Sequence, residues 1–529
     1  MTAAENALAA GPSPERDTSG IAGHPKGLMT LFFTEMWERF SYYGMRAFLV
    51  LFMVAPVAAG GLGLPDATAG VIYGMYTSMV YLLSVPGGWV ADRFLGQQNA
   101  VLYGGILIMT GHISLAVPAG ATFYVGLSLV ALGTGLLKPN ISSIVGQLYA
   151  QGDVRRDAGF TIFYMGINLG AFLAPLVCGA FLAESDTFKN WLHSMNIEPQ
   201  AAWHFAFGAA AVGMFLGLVQ YTIGRRKLRD AGARPAKAKD PVEAARDRRI
   251  LGALISIFIL VPVLVGVLAT TGKLVLTPDR VGGVFDILMP ATAVVVLIGL
   301  FFFGASNAGE KRRMIVIIIL FFAAAVFWGC FEQAGSTLTL FAKRHTNRVI
   351  FGQPFGTTVF QSLNSIFVVV LAPVFAWLWV RLAKLNKEPY TITKFALGMF
   401  GVGLGFLILV PAAKIVLGGT LAGPSWLLTL YLVHTCGELC LSPVGLSAMA
   451  KLAPQRIVGL IMGVWFLAAS VGNYLAGRAV GLNQSMSMDN YFLLMTLFPI
   501  GIGAILLLLA KPVQRMLARS DAPEEPAGH

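Results

Sequence analysis

Charge is the scarcest commodity in this chain. Asp, Glu, Lys and Arg make up only 12% of its 529 residues, about half the roughly 25% usual in soluble domains. Cysteine is nearly as rare. Cys178, Cys330, Cys436 and Cys440 all lie in apolar stretches and form no disulfide framework. Cys436 and Cys440 share a helix face with Glu438 between them, yet no His/Cys cluster has zinc-site spacing, so no metal is expected. No G-x-x-x-x-G-K-[ST] occurs, which excludes a P-loop ATPase engine and leaves an ion gradient as the energy source. HExxH and GxSxG are also missing, and no His stands beside an intramembrane Ser or Cys. A membrane-embedded enzyme is therefore disfavoured and no cofactor is expected. Nothing alternates as a barrel strand would. The tail from Met1 to Lys26 lacks an apolar h-region, so the first helix is expected to serve as its own insertion signal.

What the chain has in abundance is apolar sequence, 56% of the total. Repeated runs of about 20 apolar residues define an all-α, polytopic membrane protein embedded in the lipid bilayer. The net charge of +12 crowds into alternate loops, the positive-inside signature of topology. No basic groove or soluble domain is left for nucleic acid, and no obligate protein partner is evident. The apolar periodicity predicts fourteen transmembrane helices, near 28–56, 66–91, 98–117, 121–150, 157–183, 201–223, 250–271, 283–304, 313–343, 356–381, 390–414, 424–451, 456–480 and 489–515. The expected domains are a cytoplasmic tail (1–27), a six-helix bundle (28–223), a basic cytoplasmic linker (224–249), two extra helices (250–304), a second six-helix bundle (305–515) and a cytoplasmic tail (516–529). Both termini are expected in the cytoplasm. Two six-helix halves joined by a cytoplasmic loop resemble the major facilitator fold, with a site at the midplane between the halves. GGWVADRFLG, residues 87–96, agrees: it puts Asp92 and Arg93 where that superfamily carries a G-x-x-x-D-R-type gating loop.

Charges within spans mark function by default, because each costs about 2.5–3.5 kcal/mol at the bilayer centre on insertion scales. The set comprises the bases Arg39, Arg46 and Lys138 and the acids Glu35, Glu38, Glu332 and Glu438; Asp286 and Lys394 lie nearer span ends. Near-balance reduces the cost, and one surplus acid leaves room for a proton. Four of the charges sit in FFTEMWERFSYYGMR, residues 32–46. At about 100° per residue, Glu35, Glu38, Arg39, Tyr42, Tyr43 and Arg46 fall in one wedge of about 140°. Such a stripe is expected to line a water-filled cavity, with Glu35 and Arg39 at ion-pairing i,i+4 spacing. Pro139 follows Lys138, Pro443 follows Glu438 by five positions, and Pro86-Gly87-Gly88 interrupts the second helix. These breaks fit kinked helices that rock around a site.

EMWERFSYYG (35–44) resembles the E-x-x-E-R-F-x-Y-Y-G signature of the proton-dependent oligopeptide transporters. FYMGINLGA (163–171), GTGLLKPN (133–140) and GELCLSPVG (437–445) resemble that family's fifth-, fourth- and tenth-helix motifs in order. The two-helix insert is typical of its bacterial members, which places the protein in a bacterial inner membrane. The resemblance implies a symporter of protons with di- and tripeptides. Arg46, Lys138 and Asn168 would hold the peptide's carboxylate and backbone, and Glu438 its ammonium. Tyr42, Tyr43, Tyr81 and Asn364 would line the pocket, with Trp328 and Trp465 bounding side-chain subsites. Glu35, Glu38 and Arg39 would carry proton coupling, and Glu332 would pair with Arg46 as states exchange. Asp92, Arg93, Pro139 and Pro443 would serve conformational gating. The second-helix histidine of animal members has no counterpart, because Gly74 follows Tyr73; coupling would then rest on carboxylates.

The residues support this reading independently of the resemblance. Accepting many short peptides requires charged clamps for the two termini and roomy walls between them. A carboxylate that releases its basic partner only when protonated couples proton uptake to binding. A carrier of nitrate or another small anion is the alternative, disfavoured because Glu332 and Glu438 would oppose anion entry. An uncoupled channel or receptor is a more distant one.

Overall fold

The computed structural model describes residues 17–118, 120–150, 153–235, 240–271, 275, 277–350 and 352–520. Most of the N-terminal tail, the last nine residues, Lys237 and Lys239 of the linker and Lys273 lie outside the described residues. The long helices are α1 (Lys26–Val54), α2 (Asp66–Leu82), α3 (Gln97–Ala116), α4 (Gly120–Gln147), α5 (Arg156–Ala174), α6 (Ala202–Gly224), α7 (Pro241–Thr270), α8 (Pro278–Phe303), α9 (Ala308–Phe331), α10 (Val359–Lys384), α11 (Thr391–Leu417), α12 (Pro424–Leu452), α13 (Val458–Gln484) and α14 (Met488–Ser520). One two-residue antiparallel strand pair, Val349–Ile350 with Gln353–Pro354, interrupts this helical chain.

Twelve helical stretches among the described residues are long and apolar enough to cross a membrane. The two long helices outside that set are α1, interrupted by Glu35, Glu38, Arg39 and Arg46, and α7, whose first turns hold Glu243 and Arg246 to Arg249. Several boundaries differ from the periodicity. The second stretch is not one helix: it breaks at Leu83, resumes over Ser84–Val90 and widens to a π-turn over Ala91–Leu95. The ninth breaks at Glu332–Gly335 before a short helix, Thr337–His345. Pro139 and Pro443, by contrast, sit inside unbroken helices α4 and α12, as membrane helices allow when neighbours satisfy the freed carbonyl.

The chain groups into two compact units. The first comprises residues 1–43, 83–171 and 208–264, the second 44–82, 172–207 and 265–529. Within the first unit, glycines let helices touch backbone to backbone. A Cβ on Gly104 of α3 would lie 2.6 Å from Gly133 O of α4. A Cβ on Gly170 of α5 would lie 2.2 Å from Met36 O of α1. Gly213 and Gly217 of α6 receive Phe40 and Trp37. The second unit repeats the device where α2 meets α13: a Cβ on Gly70 would lie 2.5 Å from Gly477 O. Its apolar core runs through Phe321, Phe327, Phe395, Phe406, Tyr491 and Phe492.

Candidate functional site

In the first unit, the opening stretch of α1 carries a compact charge cluster. Arg39 Nε lies 3.1 Å from Glu35 Oε1 and also donates to Glu38 Oε2. Glu35, Glu38 and Arg39 are 3%, 0% and 3% exposed, so these three charges of the stripe meet one another inside packed structure rather than facing a water-filled cavity. Among the described residues no hydrogen-bond donor reaches Glu35 Oε2 or Glu38 Oε1. Two carboxylates therefore share the Arg39 guanidinium, and Lys138 of α4 places a second positive charge in electrostatic reach of Glu35. Tyr42 stands beside the same arginine, whose Cζ is 5.3 Å from the ring centroid, and Tyr43 packs edge-on against Tyr42. The glycine at 170 lets α5 approach this helix closely. Asn168, two residues earlier, is buried and turns its amide to Tyr164 O at 3.0 Å. Lys138 is half-buried on α4, directly before Pro139.

The second unit holds the other charged residues of the predicted site. Arg46 donates through Nη2 to Glu332 and through Nε to the Tyr73 hydroxyl, the latter at 2.6 Å. Glu332 reaches Arg46 because α9 ends at Phe331 and the chain tightens into the turn Glu332–Gly335. Asn364 of α10 donates to Glu438 Oε2 at 2.9 Å and to Thr435 Oγ1 at 3.0 Å. Glu438 thus accepts from a neutral donor, which orients its carboxyl group. Trp328 is half-buried, with Phe327 and Phe331 edge-on to it. Trp465 is buried against Gly445 and Phe395. Tyr81 is half-buried near the end of α2, and Pro443 is exposed on α12.

The loop holding Asp92 and Arg93 belongs to the first unit. Asp92 is exposed and accepts from Gln97 Nε2 at 2.9 Å. Arg93 points instead to the start of α7, with Nη1 3.1 Å from Glu243 and 3.5 Å from Asp247. Sequence reasoning missed these two acids because they sit in a stretch that reads as a basic linker. It also passed over Tyr73 and Thr435, neutral residues in apolar helices that carry no charge signal. A polar ring next to Gly74 and one turn before Thr77 was the only cue to the first.

Residues 98–494 match the model of the PTR2, or POT, family. The peptide transporter YePEPT of Yersinia enterocolitica is 40% identical over 522 residues, which cover 95% of this chain and 97% of that protein. The di-/tripeptide transporter of Lactococcus lactis is 36% identical over 505 residues, 94% of this chain and 97% of that one. A crystal structure of a peptide transporter, POT, in complex with sulfate matches with a TM-score of 0.83 at 41% identity, covering 98% of this chain and 99% of its own.

Proposed function

The chain belongs to the POT family of transporters, and on that basis we propose that it is a proton-coupled symporter importing di- and tripeptides. It is a multi-span membrane transporter, not an enzyme. The observation that carries the mechanism is the buried pair Arg46–Glu332. Separating such a pair strands a charge at a cost of about 3–5 kcal/mol. Two events remove that cost together: a peptide carboxylate replaces Glu332 on Arg46, and Glu332 takes up a proton. Peptide and proton then enter as a unit, which is the thermodynamic content of symport.

The remaining roles follow from the same chemistry. Arg46, Lys138 and Asn168 receive the peptide's carboxylate and backbone. Glu438, oriented by Asn364, receives its ammonium. Tyr42, Tyr43 and Tyr81 line the pocket, and Trp328 and Trp465 bound the side-chain subsites. Glu35, Glu38 and Arg39 hold the coupling proton with Glu332. Asp92, Arg93, Pro139 and Pro443 belong to the gating movement. The proton gradient is the sole energy source, and neither a cofactor nor an obligate protein partner is required. In this reading α1 and α7 span the membrane as well, giving fourteen spans: six, a two-helix insert and six. That is a major facilitator arrangement in a bacterial inner membrane with both termini cytoplasmic.

Reconstituted protein should take up labelled dialanine under an inward proton gradient and lose accumulation when a protonophore collapses it. Well-folded protein that accumulates no dialanine would overturn the proposal. Accumulation of nitrate instead would select the anion carrier.

A further inference from the structure

Arg46 bonds to groups of different kinds, among them a neutral tyrosine that no charge argument singles out. Tyr73 is 0% exposed and Arg46 6%. The guanidinium Nε donates to the Tyr73 hydroxyl at 2.6 Å, while Nη2 meets Glu332. Both contacts are organised by one short turn, Glu332–Gly335. Its first residue supplies the carboxylate. Its last, Gly335, lets the phenol approach, since a Cβ there would lie 2.0 Å from Tyr73 Oη and 3.1 Å from Arg46 Nε. The tyrosine itself is fixed from behind. Its neighbour Gly74 lies in the glycine seam with α13, where a Cβ would come 3.0 Å from Gly477 Cα and from Tyr474 O.

We propose that Tyr73 is a positioning residue for Arg46, holding the guanidinium in the orientation in which a peptide carboxylate is received. This rests on the reading that Arg46 meets that carboxylate. A guanidinium is a planar fork, so an acceptor on Nε sets the plane in which its Nη groups point. A carboxylate in that role would cancel the positive charge. A hydroxyl fixes the plane and leaves the charge for the substrate. When Glu332 is protonated and leaves the pair, Tyr73 keeps the arginine aimed, and the entering carboxylate meets an oriented cation rather than a mobile one. Orientation established beforehand reduces the entropy lost on binding.

The test is Tyr73→Phe, which keeps the ring and removes only the hydroxyl, assayed by peptide exchange in proteoliposomes. Two probes are compared: dialanine and dialanine amide, which lacks the carboxylate. The KM for dialanine should rise about tenfold, the effect of one hydrogen bond to a charged group, with the maximal exchange rate within about twofold. The KM for the amide should not change. Gly335→Ala, which pushes the phenol away, should give the same selective loss, and the double variant should be no worse than either single one. Equal KM changes for both probes, or none for dialanine, would overturn the role of Tyr73. Wild-type protein that exchanges neither probe would instead overturn the transport reading itself.

Discussion

Glu35 and Glu38 both pair with Arg39 in a stretch almost wholly removed from solvent, with Lys138 in electrostatic reach of Glu35, so the identity of each residue has a separable consequence. Glu35→Gln leaves the Arg39–Glu38 pair intact and puts a neutral acceptor of the same shape where a protonatable group faced Arg39. It should abolish gradient-driven accumulation of dialanine while sparing exchange of peptide for peptide; equal loss of both would make Glu35 a binding or structural residue. Arg39→Ala strands two buried carboxylates and should destabilise the fold by about 3–5 kcal/mol, read as a lower melting temperature in detergent that Glu35→Gln does not share. The sequence made these three residues legible because charges in an apolar run stand out and helical geometry puts them on one stripe. Spacing also pointed to the Glu35–Arg39 pair, which the structure shows, but not to Glu38 as the second acid on Arg39. Arg46 lies on the same stripe and in the same helix, yet its partners are Tyr73 and Glu332, 27 and 286 positions away. No local periodicity encodes such separations.

At the scale of elements, helix contacts rest on small residues that periodicity cannot distinguish from filler. Gly477 of α13 has Gly70 O at 2.4 Å and Gly74 Cα at 2.5 Å from where its Cβ would stand. Gly477→Ala should force α2 and α13 apart and cost about 1–3 kcal/mol by overpacking, measured as a drop in melting temperature. Gly459, with nothing near its Cβ position, is the control that should show none of that drop. The linker gives a second case. By composition it reads as a loose basic tether, but Gln98 donates to Arg229 O at 3.0 Å and to Ala231 O at 2.8 Å. Gly232 N completes the strap by donating to Gln147 Oε1 at 2.8 Å. Gln98→Ala removes two of these bonds, so trypsin should cut after Arg229 or Arg234 faster than in the wild type. An unchanged cleavage rate would mean that the strap is held elsewhere. Of the breaks, the one in the second span was foreshadowed by Pro86-Gly87-Gly88, although the helix parts three residues earlier, at Leu83; the turn Glu332–Gly335 in the ninth holds no proline to mark it.

For the whole molecule, the loop charges make a testable map. With both termini cytoplasmic and fourteen spans, alkaline phosphatase fused after Ser485, between α13 and α14, should be active in the periplasm. A fusion after Asn386, between α10 and α11, should be inactive; the reverse pattern would overturn the orientation. The sequence by itself determined the class of molecule, the apolar segments that form its spans and the motifs that place it in its family. Hydrophobic length and charge in lipid are local properties, and the bilayer enforces them one segment at a time. The family resemblance already implied Glu332 for Arg46; tertiary structure alone decided the other partners, Tyr73 for Arg46, Asn364 for Glu438, and Glu243 with Asp247 for Arg93. Pairing depends on which helix faces which and on where each helix breaks. Those outcomes are set by close packing among many small residues at once, so no single stretch of the chain contains them.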